Sequence, residues 1–125
     1  DIIKNGFASA CHDIADGGLI VALVEMLMSD RNQTELGISF KCDNIQIALD
    51  HFLFSEAGGF ILEIPDEYLH KVETLVSETG AYGFVGGKVT KDGRIKVLLN
   101  GNSIIDLRIE DVQECWRNGL EGFGI

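Results

Sequence analysis

The segment His12-Asp13-Ile14-Ala15-Asp16-Gly17-Gly18-Leu19, running directly into an apolar stretch over residues 20–28, constrains this chain more than any other. Residues 6–11 before it (Gly-Phe-Ala-Ser-Ala-Cys) read as a short buried strand, whereas Leu19, Ile20, Val21, Leu23, Val24, Met26 and Leu27 read as a helix with little polar face. A strand, a polar turn and a buried helix follow one another. Asp16 stands where an N-cap is wanted, because its carboxylate can accept from the free N–H groups of the first turn. Two readings of the glycines stay open. Either Gly17 and Gly18 leave N–H groups bare at the positive end of the helix, making a phosphate cradle, or they only form the turn and permit close packing. Asp13 and Asp16 oppose a bare anion unless a metal ion or cationic partner intervenes, or their side chains turn outward.

At 125 residues with 46% hydrophobic side chains, the chain has enough apolar surface to bury one core. Its net charge of −10 opposes nucleic acid, whose binding draws chiefly on Lys and Arg against phosphates. A smaller phosphate ligand would have to be held locally. The longest apolar run, residues 19–28, contains Glu25 and is far too short to span a bilayer, so no membrane partner is expected. Cys11, Cys42 and Cys115 are widely spaced with no Cys-x-x-Cys pair, which fits a reduced, intracellular compartment better than a disulfide framework or a zinc site. The first residue, Asp1, and the last four, Gly-Phe-Gly-Ile, read as the ends of a piece cut from something longer, with residues 1–125 forming one domain.

Farther along, the first helix is expected to end near Ser29, where Asp30-Arg31-Asn32-Gln33-Thr34 loses the apolar pattern. A short strand at residues 37–40 is followed by a helix capped by Asn44 and carrying Ile45, Ile47, Ala48, Leu49 and Phe52. Residues 60–64 alternate as a strand that Pro65 ends, and Asp66 opens a helix with Leu69, Val72, Leu75 and Val76 on one stripe and Gly80 at its left-handed C-terminus. Residues 81–90 read as a strand broken by Gly83, Gly86 and Gly87, where a bulge or a close backbone approach is expected. Turns at Lys91-Asp92-Gly93 and Asn100-Gly101 then lead through strands at 94–99 and 103–107, a closing β-meander. A last helix over 110–117 turns Val112, Cys115 and Trp116 inward. Alternating strands and helices followed by hairpins predict an α+β layered sandwich with a mixed sheet, partly like a ferredoxin-type arrangement.

No nucleophile is evident in this pattern. Ser55 lacks the glycines of a nucleophile elbow, His12 has no partner at ligand spacing and reads as structural, and His51 and His70 read as surface side chains. Ser55 and Glu56 nevertheless sit in a turn bordered by Gly58 and Gly59, a place suited either to capping or to binding.

The stretch from Ala10 to Leu19 with its helix, together with Leu53-Phe54-Ser55-Glu56 before a strand, resembles the C-terminal domain of the aminoimidazole ribonucleotide (AIR) synthetase superfamily. It is most similar to the last such domain of the phosphoribosylformylglycinamidine (FGAM) synthases, over about residues 7–97. The resemblance implies a part of an ATP-dependent ligase of purine biosynthesis, cytoplasmic, which phosphorylates the amide oxygen of formylglycinamide ribonucleotide (FGAR) and replaces it with ammonia from glutamine. In such enzymes the N-terminal domain supplies the ATP and Mg²⁺ ligands and the catalytic histidine, so this domain alone is expected to hold no tightly bound cofactor and no catalytic or metal residue. The implied partners are that nucleotide-binding domain, glutaminase and small subunits, and a small nucleotide substrate. A homodimer of the lone domain also stays open.

By the same resemblance, Asp16, Gly17, Gly18, Ser55 and Glu56 are expected to line a cleft for substrate or phosphate, or an auxiliary nucleotide site. Two departures stand out. Ala15 stands where many relatives have a serine, and Ala57-Gly58-Gly59 follows the Phe-Ser-Glu turn where the resemblance leads one to expect a polar residue and often an arginine. Selenophosphate synthetase, thiamine-phosphate kinase and a hydrogenase maturation protein share the layout and are the alternatives within the superfamily. A non-catalytic binding or assembly module is the alternative outside it.

Overall fold

The computed structural model describes residues 1–29, 35–43 and 45–119. Six strands and four helices appear among them: β1 (Ala10–Asp13), α1 (Gly18–Leu27), β2 (Gly37–Lys41), α2 (Leu49–Phe54), β3 (Phe60–Glu63), α3 (Leu69–Glu78), β4 (Gly87–Thr90), β5 (Arg94–Leu99), β6 (Asn102–Arg108) and α4 (Ile109–Asn118). The polar stretch 30–34 and the proposed cap Asn44 lie outside the described residues.

The strands form two sheets. β1 and β3 make an antiparallel ribbon with Ala10 opposite Glu63 and Asp13 opposite Phe60. The other four form a mixed sheet in the order β4-β2-β5-β6, with β2 antiparallel to β4 and parallel to β5. The mixed-sheet α+β layering is therefore as expected, but the closing meander is not. β5 and β6 are a hairpin, whereas β4 is separated from β5 by β2, a strand from far earlier in the chain. Register between sequence-distant strands follows side-chain packing that no local turn encodes.

The core lies between α1 and this sheet, where Leu23, Phe40, Cys42, Ile95, Val97 and Ile109 are all buried. The close approach foreseen at the glycine-rich segment is real: a side chain at Gly86 would strike the Phe40 ring, and one at Gly87 would strike the Ser39 carbonyl. Only β4 of that segment is strand, and residues 81–86 are irregular. Phe52 of α2 stacks on Phe40 at a centroid distance of 6.3 Å and meets Phe84 at 6.2 Å, tying the short helix to the sheet.

Turn chemistry is legible where it is local. Asn100 and Gly101 have φ of 50° and 80°, as the two-residue hairpin between β5 and β6 demands. Asp43 accepts the Asn100 N–H at 2.7 Å and ties the hairpin tip to the end of β2. At the other end of β5, Asp92 accepts from the Thr90 hydroxyl, the Arg94 N–H and the Lys96 ammonium. The Lys96 hydrogen bond, followed by that of Thr90, pulls its carboxyl down to about 2.

Several local expectations are corrected. The first strand begins at Ala10 and runs through His12 and Asp13, because pairing with β3 extends it into the segment expected to be turn. α2 starts only at Leu49, not near Ile45. Asp66 opens a 3-10 turn, Asp66–Tyr68, and neither that turn nor α3 has a side-chain cap. In α4 the buried positions are Ile109 and Gln113, while Cys115 is exposed and Trp116 is 63% exposed. The helix is rotated from the expected face because Ile109, not Val112, enters the core.

Candidate functional site

The ribbon, α1 and α2 bring the two sequence motifs together. β1 ends at Asp13, the chain turns through Ile14 to Gly17, and α1 begins at Gly18. The N-cap position is Gly17, with φ of 83° and no side-chain cap. Asp16, expected to cap, is exposed and does not do so: with Gly17 itself in the cap position, the carboxylate lies one residue too early. The Gly17 N–H instead donates to Oε1 of Glu56 at 2.9 Å, a residue 39 positions away. The cap comes from the second motif.

Two further contacts join the turns. The Ile14 N–H donates to the Gly59 carbonyl at 2.8 Å, continuing the ribbon beyond its last strand pair. Gly18 rests on the C-terminal end of α2, where a Cβ would lie 2.6 Å from the carbonyl carbon of Phe54 and 2.8 Å from the Leu53 oxygen. With φ of 75° as well, only glycine fits there. Of the five residues expected to share a cleft, Gly17, Gly18 and Glu56 are in this joint, and Asp16 and Ser55 flank it. Ser55 opens onto a depression that Asp50, His51 and Phe54 also line.

The electrostatics are acidic. The carboxylates of Asp13 and Asp16 are exposed near the start of α1, and Glu56 occupies the Gly17 donor. A bare phosphate would find that N–H already in use by a carboxylate. Among the described residues no three His, Cys, Asp or Glu side chains come together as ligands for a metal ion.

His12 is structural in its contacts. Its Nδ1 lies 2.6 Å from the Asp13 carbonyl oxygen and its Nε2 lies 3.0 Å from Glu25 on α1, so the half-buried ring braces β1 against that helix. His51 and His70 are exposed, as read from the sequence. The Glu56–Gly17 and His12–Glu25 pairs carry no sequence signal of their own, being set by how the ribbon and α1 dock.

Residues 2–100 match the family model described as AIR synthase related protein, C-terminal domain. The chain belongs to that family. Among curated relatives, phosphoribosylformylglycinamidine synthase subunit PurL of Aquifex aeolicus (strain VF5) is 29% identical over 90% of this chain and 15% of its own length. "Probable membrane antigen 75" of Saimiriine herpesvirus 2 (strain 11) is 31% identical over 96% of this chain and 9% of its own. Members of the fold solved as T. maritima PurL complexed with FGAR and with ATP superpose with TM-scores of 0.74 and 0.72, at 14% and 16% identity. They cover 89% and 87% of this chain but 19% of theirs. This AIR-synthase-type domain thus spans under a fifth of the length of the relatives it matches.

Proposed function

We propose that this chain serves as the C-terminal domain of a phosphoribosylformylglycinamidine synthase, the ATP- and glutamine-dependent ligase that converts FGAR to FGAM in purine biosynthesis, acting in the cytoplasm. In this reading residues 1–125 are one domain of a longer enzyme. Its joined turns, Asp16-Gly17-Gly18 and Ser55-Glu56, face a cleft completed by an N-terminal nucleotide-binding domain, with glutaminase and small subunits as the further partners. The observation that carries it is the joint itself: the two motifs are far apart in sequence, yet Glu56 closes on Gly17. Structures of a PurL with FGAR and with ATP supply the two ligand classes to test.

The domain's part is positioning and closure. Phosphoryl transfer needs placed cations around the developing charge, and this joint offers carboxylates, one hydroxyl and backbone groups. ATP and its Mg²⁺ therefore belong to the companion domain, and this chain alone is expected to be inactive.

A second reading has its own support. Ala15 and Ala57 occur where the resemblance leads one to expect a serine and a polar residue, and a relative at 31% identity carries the name of a viral membrane antigen. A non-catalytic module would keep the fold and lose ligand contacts.

Titration with FGAR and separately with ATP and Mg²⁺, of the chain alone and with its companion domain added, separates the two. Amide shifts at residues 16–19 and 55–59 that appear with either ligand support the ligase domain. Silence of both turns with the companion domain present and ligand bound elsewhere supports the second reading. Turnover of FGAR by this chain alone would refute the assignment of chemistry to the companion domain.

A further inference from the structure

The geometry points to Glu56 as a positioning residue: its carboxylate caps α1 from a different segment, and through Gly17 it holds the Ser55 turn against the Asp16 turn, leaving Ser55 to meet the ligand. The inference rests on the proposed cleft and divides the labour within it.

α1 has ten residues, no acidic side chain in its first turn and a glycine at its N-cap, so no side chain of its own bonds the N–H groups at its positive end. Glu56 is the group that does, at 2.9 Å. Its own segment is pinned on both sides. The Ser55 N–H donates to the His51 carbonyl at 3.0 Å, closing α2, and the Gly59 carbonyl accepts from Ile14. Between these pins Gly58 has φ of 84°, and the Glu56 side chain reaches Gly17 at the start of α1. A Glu56 that turned Oε1 to a ligand would have to release the Gly17 N–H.

Ser55 is placed differently. Its backbone is extended at φ of −66° and ψ of 131°, it is exposed, and it opens on the depression shared with Asp50, His51 and Phe54. Among the described residues its hydroxyl has no hydrogen-bond partner. A hydroxyl without a partner beside a carboxylate whose Oε1 holds the Gly17 N–H separates a contact residue from the residue that holds it in place.

The test compares wild type with Glu56→Gln and Glu56→Ala in the 125-residue chain, following amide exchange and shifts without ligand, then the titrations with FGAR and with ATP and Mg²⁺ in the presence of the companion domain. Glu56→Gln keeps an acceptor and loses the charge. It is expected to hold the Gly17 amide and the shifts of residues 55–59 near wild type, and ligand affinity within about twofold. Glu56→Ala is expected to speed Gly17 exchange by about tenfold or more, the scale of one charge-assisted hydrogen bond. It is also expected to move the 55–59 amides and weaken binding by a similar factor. An unchanged Gly17 amide in Glu56→Ala overturns the inference. So does an equal loss of affinity in both variants with Gly17 undisturbed in Glu56→Gln, because that marks Glu56 as a charged ligand contact. If the ligand-free amides respond as expected while no ligand reaches either turn in any protein, the positioning role stands and the cleft reading fails.

Discussion

Gly18 is the position at which the joint between the two motifs is most exposed to a single methyl group. In Gly18→Ala the added Cβ meets main-chain atoms, 2.6 Å from the Phe54 carbonyl carbon and 2.7 Å from its Cα, so no rotamer change relieves it. The backbone there also has φ of 75°, which an L-residue adopts at a cost of roughly 1–2 kcal/mol. Forcing α1 and α2 apart adds about 1–3 kcal/mol of overpacking and lost contact. The combined loss of about 3 kcal/mol is a large part of the 5–15 kcal/mol that typically holds a domain. With a urea slope of about 2 kcal/mol/M, the midpoint should fall by about 1.5 M. Gly58→Ala is the matched control: φ is 84° but the Cβ meets nothing within 4 Å, so it carries the backbone term alone, about 1 kcal/mol. A Gly18→Ala midpoint no lower than that of Gly58→Ala would refute the argument that α2 is seated on the start of α1.

Other perturbations test other parts of the fold. Gln113 is buried and its Nε2 has no hydrogen-bond partner, so Gln113→Leu should raise stability by about 1 kcal/mol in urea unfolding; a loss would mean that the amide is satisfied. Cys42 is fully buried, and burial, with Asp43 adding to it, raises its thiol, whereas Cys11 and Cys115 are exposed. A thiol reagent should label two cysteines quickly and Cys42 only at the rate of opening; three equal rates would contradict the core assignment. The Asp92 carboxyl is lowered to about 2, so its contribution is present above the usual carboxylate range and is lost as pH falls from about 4 toward 2. Because the Asp92 and Lys96 side chains are 37% and 34% exposed, solvent screening should keep the effect below about 1 kcal/mol. Asp92→Asn should show a shallower acid limb than wild type, and parallel limbs would remove Asp92 from the account.

What the sequence made legible was local. Asn100-Gly101 is readable as a hairpin because both residues tolerate positive φ, and the structure has them there. Gly86 and Gly87 are readable as a close approach, though not what approaches, since Phe40 and Ser39 reach them only through β2 pairing. The two candidate turns were legible as motifs, and their meeting was not. Asp16 looks like the cap because it is adjacent, yet the carboxylate that does the capping comes from Glu56, placed by tertiary docking. The inner face of α4 differs from the one its apolar periodicity predicts for a related reason. Apolar periodicity favours Trp116, but the register that buries Ile109 carries Gln113 inward and leaves the indole in solvent.

The insertion of β2 between β4 and β5 also dictates an order of events during synthesis. Residues 37–41 emerge from the ribosome long before residues 87–90 and 94–99, the two strands that flank them. Until then both edges of a strand bearing Ile38 and Phe40 have no neighbour, and such edges recruit whatever strand is near. Contacts this distant in sequence also form slowly. A nascent or truncated chain that stops before β4 should therefore be the sticky species, and one that reaches the end of β5 the first able to close the sheet around β2.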